Sequence, residues 1–564
     1  MDILPENLQA IVDKHAAELK EHFSDQLCTE LVIRNRKHLL VLLSEQLDLG
    51  EIECECRDFH HQEGPGKPPT HTVDKMVAAL LVGWLYGHSL RELEERLNTD
   101  LLVRWYVGYG LFDSTPDHAT LGRFEFWVLT KHRRVYFDSV LGQIYAQYPQ
   151  QRQQVQMGDT YAMQANAARQ GPVAIWRQLS MRVLEAMCRE LSDPGGLVSG
   201  LNWVGLFGAP REKHFARMTS EERQERLRSA ALAAAELVQR LERVLSVQPT
   251  EACGGLRQAL GYLQKSLEDE VVITGEEVCT RKQKGAYCIG SATDPQASFR
   301  NHGERDGEPD ITLGYNPQVA ATQDGLITET QAHTGAMTDQ QTVAHLISQQ
   351  KEQHGVCPPK MIYDAAAGHG KTRHEVAQAS DGQTLVSAPL PDYAGRSKRF
   401  DPYDFALSED GATLTCPNGK SSDVNYRSAA GDGRTFRFVA QQCWQGKPPT
   451  RIQNADLSLR CPLWEQCRDS KQGLRSMRQV FISDYRTQVE AAQAYNQTQE
   501  YKRDHKLRQR IERVVAELVR YNGARRCRRI GLDPADWQTK MAATAYNLKW
   551  WMRRVARAEA HAPP

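Results

Sequence analysis

The sequence has no hydrophobic run long enough to cross a membrane and no excess of charge of either sign. Its most apolar stretch, Met76 to Tyr86, is shorter than the roughly 20 residues of a transmembrane helix, so we interpret it as a buried helix. The formal net charge is zero, so total charge does not indicate a nucleic-acid-binding protein. The acidic start, Met1 to Ala10, lacks a signal-peptide pattern, which predicts a cytoplasmic protein.

Cysteines occur in an odd number, 13, which argues against a disulfide framework in a chain of this size. One group lies in residues 390–475, which are rich in Gly, Ser, Asp and Pro and predict a loop-rich insertion. Because four thiolates can close a structural zinc site, this group predicts either bound Zn²⁺ or unligated thiols. Its spacing lacks the paired Cys-x-x-Cys form of the strong zinc motifs. The members are Cys416, Cys443, Cys461 and Cys467.

A second group of metal-ligand residues lies near the acidic N-terminal region. It consists of Cys54, Cys56, His60 and His61. We interpret this group as part of a surface turn, with a metal-ligand cluster as the alternative.

Basic residues are concentrated near the C-terminal end. Residues 501–564 hold 16 Lys or Arg and 6 Asp or Glu, a net charge of +10. Such a segment can neutralise DNA phosphates, and a solvated helix face is the alternative. Trp550 and Trp551 could stack on bases, although their apolar neighbours favour packing of at least one of them in a core. The candidates for phosphate contacts are Arg525, Arg526, Arg528 and Arg529.

Hydrophobic periodicity predicts an α+β protein. The N-terminal helices include a capping box at Ser89 to Glu92 and an N-cap near Asp117. Residues 153–163 alternate as a strand does, and a strand is also predicted over Ile311 to Ala321. The predicted organisation is a helical, DNA-binding domain over 1–150, a first core strand over 151–170, a helical insertion over 171–278, the core continued over 279–389, the cysteine-bearing insertion over 390–475, and basic helices over 476–564.

Two acidic residues occupy strand positions. Asp159 lies within the first predicted strand, where an apolar residue would normally pack, and Asp364 follows the short strand Met361 to Tyr363. A single acid at such a place is commonly a hydrogen-bonded structural residue. Clustered carboxylates instead repel one another unless hard cations such as Mg²⁺ neutralise them. Two such ions can activate an attacking oxygen and stabilise a departing one in phosphodiester chemistry.

Short motifs along the chain resemble those of bacterial insertion-sequence transposases of the DDE class. Thr115 to Phe124 resembles the family's N-terminal PDHSTLxRF segment, and Met157 to Ala167 resembles its first strand, DgTxixAnAs. Leu313 to Asn316 resembles the second strand, and Tyr363 to Gly368 resembles the aDAGY segment that carries the second acid. Ile511 to Arg526 resembles the helix IErvFgelKrrhGlRR that carries the third acid.

This resemblance implies an RNase H-like mixed-sheet core with a helical N-terminal domain, a helical insertion and a cysteine-containing insertion. It also implies a catalytic trio of Asp159, Asp364 and Glu512 that binds two Mg²⁺ or Mn²⁺ ions. Glu517 is the alternative to Glu512 as the third ligand.

The region around the third acid departs in part from the family pattern. Arg508, four residues before Glu512, matches the family's arginine. His505 and Val519 stand where the family has Tyr and Lys, and Arg520 is the candidate for replacing the lost cation.

The function implied by the resemblance is that of a bacterial insertion-sequence transposase, which cleaves the ends of its element and joins them to a target. The implied partners are double-stranded DNA, as terminal inverted repeats and target, and further copies of the chain. The implied location is the cytoplasm, at the nucleoid. An RNase H-like nuclease without strand transfer and a non-catalytic, transposon-derived DNA-binding protein are the alternatives.

The segment Gly368 to Thr372 follows a predicted strand and precedes a predicted helix, as a phosphate-binding loop does. The full G-x-x-x-x-G-K-[ST] pattern needs glycine at position 365, where this chain has Ala365. We therefore predict no nucleotide cofactor.

Overall fold

The computed structural model contains two compact units. The first comprises Met1–Gln151, Asp159–Met337 and Ile511–Pro564, and the second comprises Arg152–Gly158 and Thr338–Arg510. The residues described are 14–16, 18, 26–27, 29–60, 69–249, 252–285, 287–305, 307–390, 400–429, 431–446, 448, 456–468 and 477–561. The acidic start, Met1 to Ala10, and His61 lie outside these residues.

Helices of the first unit begin and end at residues that satisfy their free backbone groups. Ser89 and Glu92 form the predicted capping box, and the Asp117 carboxylate accepts a hydrogen bond from the Thr120 N–H at 2.7 Å, as an N-cap does. Gly87, with a φ of +71°, ends the predicted apolar helix. The first helices are α1 (Leu39–Gln46), α2 (Gly50–Glu55), α3 (Val73–Tyr86), α4 (Leu90–Thr99), α5 (Leu101–Val107), α6 (His118–Lys131) and α7 (Val135–Gln147).

The strands of the first unit are antiparallel to one another where their pairing is defined. The single strand predicted over Ile311 to Ala321 is wrong, because Asn316 and Pro317 separate two strands and proline has no N–H for a ladder. The strands are β1 (Gln156–Thr160), whose last two residues belong to this unit, β2 (Met163–Gln164), β3 (Val271–Thr274), β4 (Glu277–Thr280), β5 (Ser298–Arg305), β6 (Glu308–Tyr315), β7 (Gln318–Thr322) and β8 (Ile327–Gln331). They form the sheet β2-β6-β5 and the hairpins β3-β4 and β7-β8.

Helices between β2 and β3 have a core of their own. Trp176, Leu237 and Leu263 are buried in it together with alanines that allow close helix packing. A capping box of Thr219 and Glu222 begins the longest of these helices. The helices are α8 (Pro172–Glu190), α9 (Gly195–Val198), α10 (Trp203–Phe207), α11 (Ser220–Leu245) and α12 (Gly254–Glu270).

A 30-residue helix, α19 (Leu532–His561), closes the first unit. It packs against β8, α7 and α3, and it buries Trp537, Met541 and Leu548 completely or nearly so. The helix begins at Leu532, whose N–H donates to the Gln296 side chain at 2.9 Å. No helix within the described ranges combines the length and apolarity that a membrane span needs.

A buried ion pair joins α7 to β8. Arg134 donates to both carboxylate oxygens of Glu329, at 3.1 and 2.9 Å, and also to Asp138. The Glu329 side chain is 0% exposed. Burial alone would lower the pKa of Arg134, but the two carboxylates raise it above its ordinary value. The guanidinium therefore stays charged inside the protein.

Parallel strands form the sheet of the second unit. Gln156 and Met157 of β1 pair with Met361 and Ile362 of β9 (Lys360–Ile362), which pairs with β10 (Leu385–Ser387). Gln156, Met157 and Gly158 are all buried, so the alternation of buried and exposed residues predicted for residues 153–163 is wrong here. Consecutive residues are buried because parallel strands are covered on both faces. The helices are α13 (Asp339–His354), α14 (Gly370–Ala379), α15 (Trp464–Cys467), α16 (Arg486–Asn496), α17 (Gln499–Leu507) and the start of α18 (Gln509–Tyr521).

The cysteine-bearing region of the second unit consists of short strands around a small core. Its core contains Phe405, Leu414, Phe436 and Ile482, and Cys416 and Cys467 are among the residues packed against it. The strands are β11 (Ala406–Leu407), β12 (Leu414–Thr415), β13 (Ser421–Ser422), β14 (Asn425–Arg427), β15 (Gly433–Phe438) and β16 (Arg478–Ser483), in the sheets β11-β12-β13 and β14-β15-β16.

Candidate active site

The first two predicted acids follow the paired part of two neighbouring parallel strands. In the second unit, Met157 of β1 pairs with Ile362 of β9. Asp159 and Asp364 are each two residues beyond these paired positions, in the carboxyl-terminal direction of their strands. The carboxyl ends of parallel strands are where open α/β sheets carry their ligand sites.

The residues just before the two acids pack directly on each other. A Cβ atom added to Gly158 would lie 2.1 Å from the ring of Tyr363, whose side chain is buried. Only glycine allows the backbone before Asp159 to approach that ring so closely. In the sequence, Gly158 is simply one residue of a motif. Its packing against the Tyr363 ring explains why this position is glycine.

Each of these two carboxylates accepts a hydrogen bond from the backbone. Asp159 Oδ1 accepts from the Thr160 N–H, and Asp364 Oδ1 accepts from the Ala366 N–H, both at 2.9 Å. Asp364 thereby caps a short 3₁₀ helix over Ala365–Ala367. Both acids are half-buried. The backbone bonds hold the two carboxyl groups in defined orientations, which is also what a structural acid at these positions would need.

The third predicted acid lines a pocket of the first unit. Glu512 lies in the first turn of α18, and the pocket has a volume of about 850 Å³. Thr160, the residue after Asp159, lines the same pocket. The alternative ligand Glu517 does not line it, and its carboxylate lies 3.8 Å from Arg553 instead. The pocket therefore favours Glu512 over Glu517.

Arginines are the most frequent charged residues of this pocket. Of the described residues that line it, four are Arg169, Arg300, Arg520 and Arg525, and two are the acids Asp310 and Glu512. Arg520 and Arg525 are predicted from the sequence, whereas Arg169 and Arg300 are not. An arginine on a strand or in a loop carries no signal in one sequence, because the pocket arises only when distant segments meet.

Backbone pairing places the basic segment after α18. The Gln164 N–H donates to the Arg525 carbonyl oxygen at 3.0 Å, and the Cys527 N–H donates to the Gln164 carbonyl oxygen at 2.8 Å. The segment thus extends along β2, with the side chains of Arg525 and Arg526 exposed. These two arginines remain candidates for phosphate contacts.

Arg528 and Arg529 have partners within the first unit. The guanidinium of Arg528 lies 4.1 Å from the ring centre of Trp84 and donates to the His88 carbonyl oxygen, and burial lowers its pKa. Arg529 donates twice to the carboxylate of Glu125, which is buried. We therefore assign Arg528 and Arg529 to contacts that hold the fold together. Arg508 lies in the second unit, directly after α17.

The two tryptophans of the last helix belong to the core. Trp550 and Trp551 are 7% and 2% exposed. The Trp550 indole N–H donates to the Asp324 carbonyl oxygen at 2.9 Å. The interpretation of these residues as packed side chains is confirmed.

Packing also accounts for Gly368, just before α14, and Gly370, its first residue. A Cβ atom on Gly368 would lie 1.9 Å from the Pro389 carbonyl oxygen, and one on Gly370 would lie 2.8 Å from the Cβ of Tyr485. Close backbone approach within the second unit therefore requires both glycines, without any phosphate ligand. Lys371 lies 3.8 Å from Glu375 on the same helix.

The four cysteines of the second unit line one small cavity of about 20 Å³. The Lys420 N–H donates to the Cys416 sulfur at 3.3 Å, and Arg468 donates to the Cys443 sulfur at 3.2 Å. Burial raises the pKa of the Cys461 and Cys467 thiols. The folded chain thus brings together cysteines that are up to 51 positions apart in the sequence.

No group of three or more His, Cys, Asp or Glu side chains among the described residues is arranged to hold a metal ion. Within the N-terminal candidate group, Cys54 is exposed and Cys56 is buried. Burial raises the pKa of Cys56 to about 12, so this thiol stays protonated at neutral pH.

Two protein families match the chain. Residues 29–125 match a family described as a transposase domain (DUF772), and residues 415–551 match the transposase DDE domain. The first match contains Asp117, and the second contains Glu512 and the four clustered cysteines. No curated protein and no solved structure matches.

Two of the motifs lie within the matched regions, in the predicted order, whereas Asp159 and Asp364 lie outside both. The segment around Asp117 lies within the first match, and the helix that carries Glu512 lies within the second. The mixture of helices and strands is that of the predicted α+β class. Residues 29–125 and 415–551 are thus similar to transposase domains, the second of them to a DDE domain.

Proposed function

We propose that this transposase cleaves DNA at the ends of an insertion sequence and joins the cut ends to target DNA, using Asp159, Asp364 and Glu512 to hold two Mg²⁺ ions. The pocket of the first unit carries the proposal. It combines an acid that can bind a cation with arginines that can bind phosphates. A substrate made of phosphodiesters that reacts with the help of divalent cations fits both properties.

The donor set suits the ions in question. Carboxylate oxygens are the ligands that Mg²⁺ prefers, and backbone hydrogen bonds orient two of the three carboxylates. When bound, two such ions would supply charge neutralisation at the attacking and departing oxygens. Glu512 differs from the two aspartates because it lies on an exposed helix turn.

In the proposed reaction, water attacks a phosphodiester at the end of the element and releases a 3′ hydroxyl. That hydroxyl then attacks a phosphodiester of the target strand, so that one bond forms as another breaks and no covalent protein intermediate arises. The chain's own residues position the DNA strand and neutralise its charge. Arg520 and Arg525, exposed at the pocket, are suited to contact phosphates beside the reacting one.

A cleavage and joining assay tests the function. The substrate is a duplex carrying the inverted repeat found beside the gene, and the target is a plasmid. We expect cuts at the repeat end and joined products that require Mg²⁺ or Mn²⁺ and disappear with a chelator. Cleavage without joining would indicate a nuclease, and binding without cleavage would indicate a DNA-binding protein derived from a transposon.

We further propose that Cys416, Cys443, Cys461 and Cys467 bind one structural Zn²⁺, which would have to draw together four sulfurs that are not arranged as a ligand group here. The proposal rests on their shared cavity and on the backbone N–H donated to the Cys416 sulfur, since hydrogen bonds to ligand atoms orient metal ligands. Their four thiolates would match the ligand number of a structural zinc site.

Metal analysis of the purified chain is expected to find one zinc per chain, and Cys461→Ser is expected to remove most of it. Because burial raises the pKa of the Cys461 and Cys467 thiols, zinc must displace protons there, so its affinity should increase with pH. Cys188→Ser is the matched control, since Cys188 is exposed on α8 in the first unit. Equal zinc content in both variants, or none in the wild type, would mean ordinary thiols.

A further inference from the structure

Arg300 is the half-buried arginine of the pocket that contains Glu512. It lies on β5 and pairs with Thr312 of β6, just before the irregularity that follows Asn301, so strand pairing fixes its backbone. Its guanidinium donates to the Thr160 hydroxyl at 3.1 Å, and Thr160 directly follows Asp159. The Arg300 side chain is therefore held next to the segment that carries the first acid.

The other arginines of the pocket are held less firmly. Arg169, Arg520 and Arg525 are exposed, and the guanidinium of Arg169 lies 5.0 Å from the ring centre of Phe299. A side chain whose orientation is already fixed loses less entropy on binding a ligand, and it places that ligand more accurately. Among the four arginines of the pocket, Arg300 is thus the one suited to hold a ligand in a single position.

The charge of the pocket indicates what that ligand is. Four arginines against two acids leave an excess of positive charge in a concave site, which concentrates anions. A guanidinium presents a planar fork that matches two oxygens of a phosphate. The acids suit cations, and the more numerous arginines suit an anion.

We propose that Arg300 contacts the phosphate at which the DNA strand is cut and fixes it beside Asp159 and Glu512. This inference rests on the proposed function, because it assigns a role within the same site. Arg300 supplies charge and a guanidinium N–H donor to the reacting phosphate, although its Nη1 is buried. Lysine supplies the charge without the guanidinium.

The test compares Arg300→Gln and Arg300→Lys with the wild type in single-turnover cleavage and in the salt dependence of DNA binding. Arg300→Gln is expected to slow cleavage by about 100-fold, as for the loss of one preorganised donor. It should also reduce the slope of log affinity against log salt by about 0.9, the value for one duplex phosphate. Arg300→Lys should retain the slope but still cleave more slowly than the wild type.

Arg177→Gln is the matched control, since Arg177 is exposed on α8 and does not line the pocket. Arg300→Gln behaving like Arg177→Gln in both measurements would overturn the inference while wild-type cleavage upheld the proposed function. Full recovery of cleavage by Arg300→Lys would also overturn it, because the guanidinium would then be unnecessary. If Arg300→Gln fails to fold, as judged by circular dichroism, Arg300→Lys decides. A wild-type chain that neither binds nor cuts DNA would defeat the proposed function itself.

Discussion

Replacing Glu512 by glutamine is expected to slow Mg²⁺-dependent DNA cleavage by about 1,000-fold while DNA affinity stays unchanged. Glutamine keeps the size of the side chain but loses the negative charge that attracts a cation. Metal-based charge stabilisation contributes several kcal/mol, and each 1.4 kcal/mol changes a rate about tenfold. Single-turnover cleavage of a duplex with the terminal repeat measures the rate, and fluorescence anisotropy of the same duplex measures binding.

Glu517→Gln is the control for this variant. Glu517 lies on the same helix, five residues later, outside the pocket and near Arg553. Its replacement should leave cleavage near the wild-type rate. Cleavage retained by Glu512→Gln and lost by Glu517→Gln would move the third ligand to Glu517. Loss of DNA binding by Glu512→Gln would indicate a damaged fold rather than a missing ligand.

Arg134→Ala is expected to lower the free energy of unfolding by about 3–5 kcal/mol, because it leaves the buried Glu329 carboxylate without its partner. Arg134 provides two hydrogen bonds to a carboxylate that is 0% exposed, and the variant loses both of them. Urea unfolding followed by circular dichroism measures the change.

Lys213→Ala provides the surface comparison for this buried pair. Lys213 is 64% exposed and pairs with Glu222 at 2.7 Å in the same unit. Solvent screens such pairs, so the expected loss is below about 1 kcal/mol. Replacing both partners, Arg134→Met with Glu329→Leu, should recover much of the stability, because no charge remains at the buried position 329 and Asp138, which also loses its arginine, is partly exposed. A loss for Arg134→Ala as small as that for Lys213→Ala would show that Glu329 is hydrated or neutral.

Local features of the fold could be predicted from the sequence, because they depend on residues a few positions apart. The capping box at Ser89, the N-cap at Asp117 and the apolar helix over Met76 to Tyr86 are confirmed. The family resemblance is confirmed by two domain matches, since short motifs in a fixed order carry more information than any one of them. The roles of Asp159, Asp364 and Glu512 stay predictions.

Features that depend on distant segments could not be predicted. The sequence makes Arg528 a candidate for DNA contacts. Its contact with the Trp84 ring could not be predicted, because hundreds of residues separate the two. The contact of Arg300 with Thr160 likewise joins segments that a whole helical insertion separates. The alternation of apolar and polar residues over 153–163 was misleading for a related reason. The strand is buried on both sides by segments that are distant in the sequence.

The need for glycine at position 158 also restricts which substitutions this protein can accept during evolution. The ring of Tyr363 occupies the space that any larger residue at position 158 would need. A relative with alanine or serine there must therefore carry a smaller residue at position 363. The two positions should vary together across related sequences, and each immediately precedes one of the proposed catalytic aspartates.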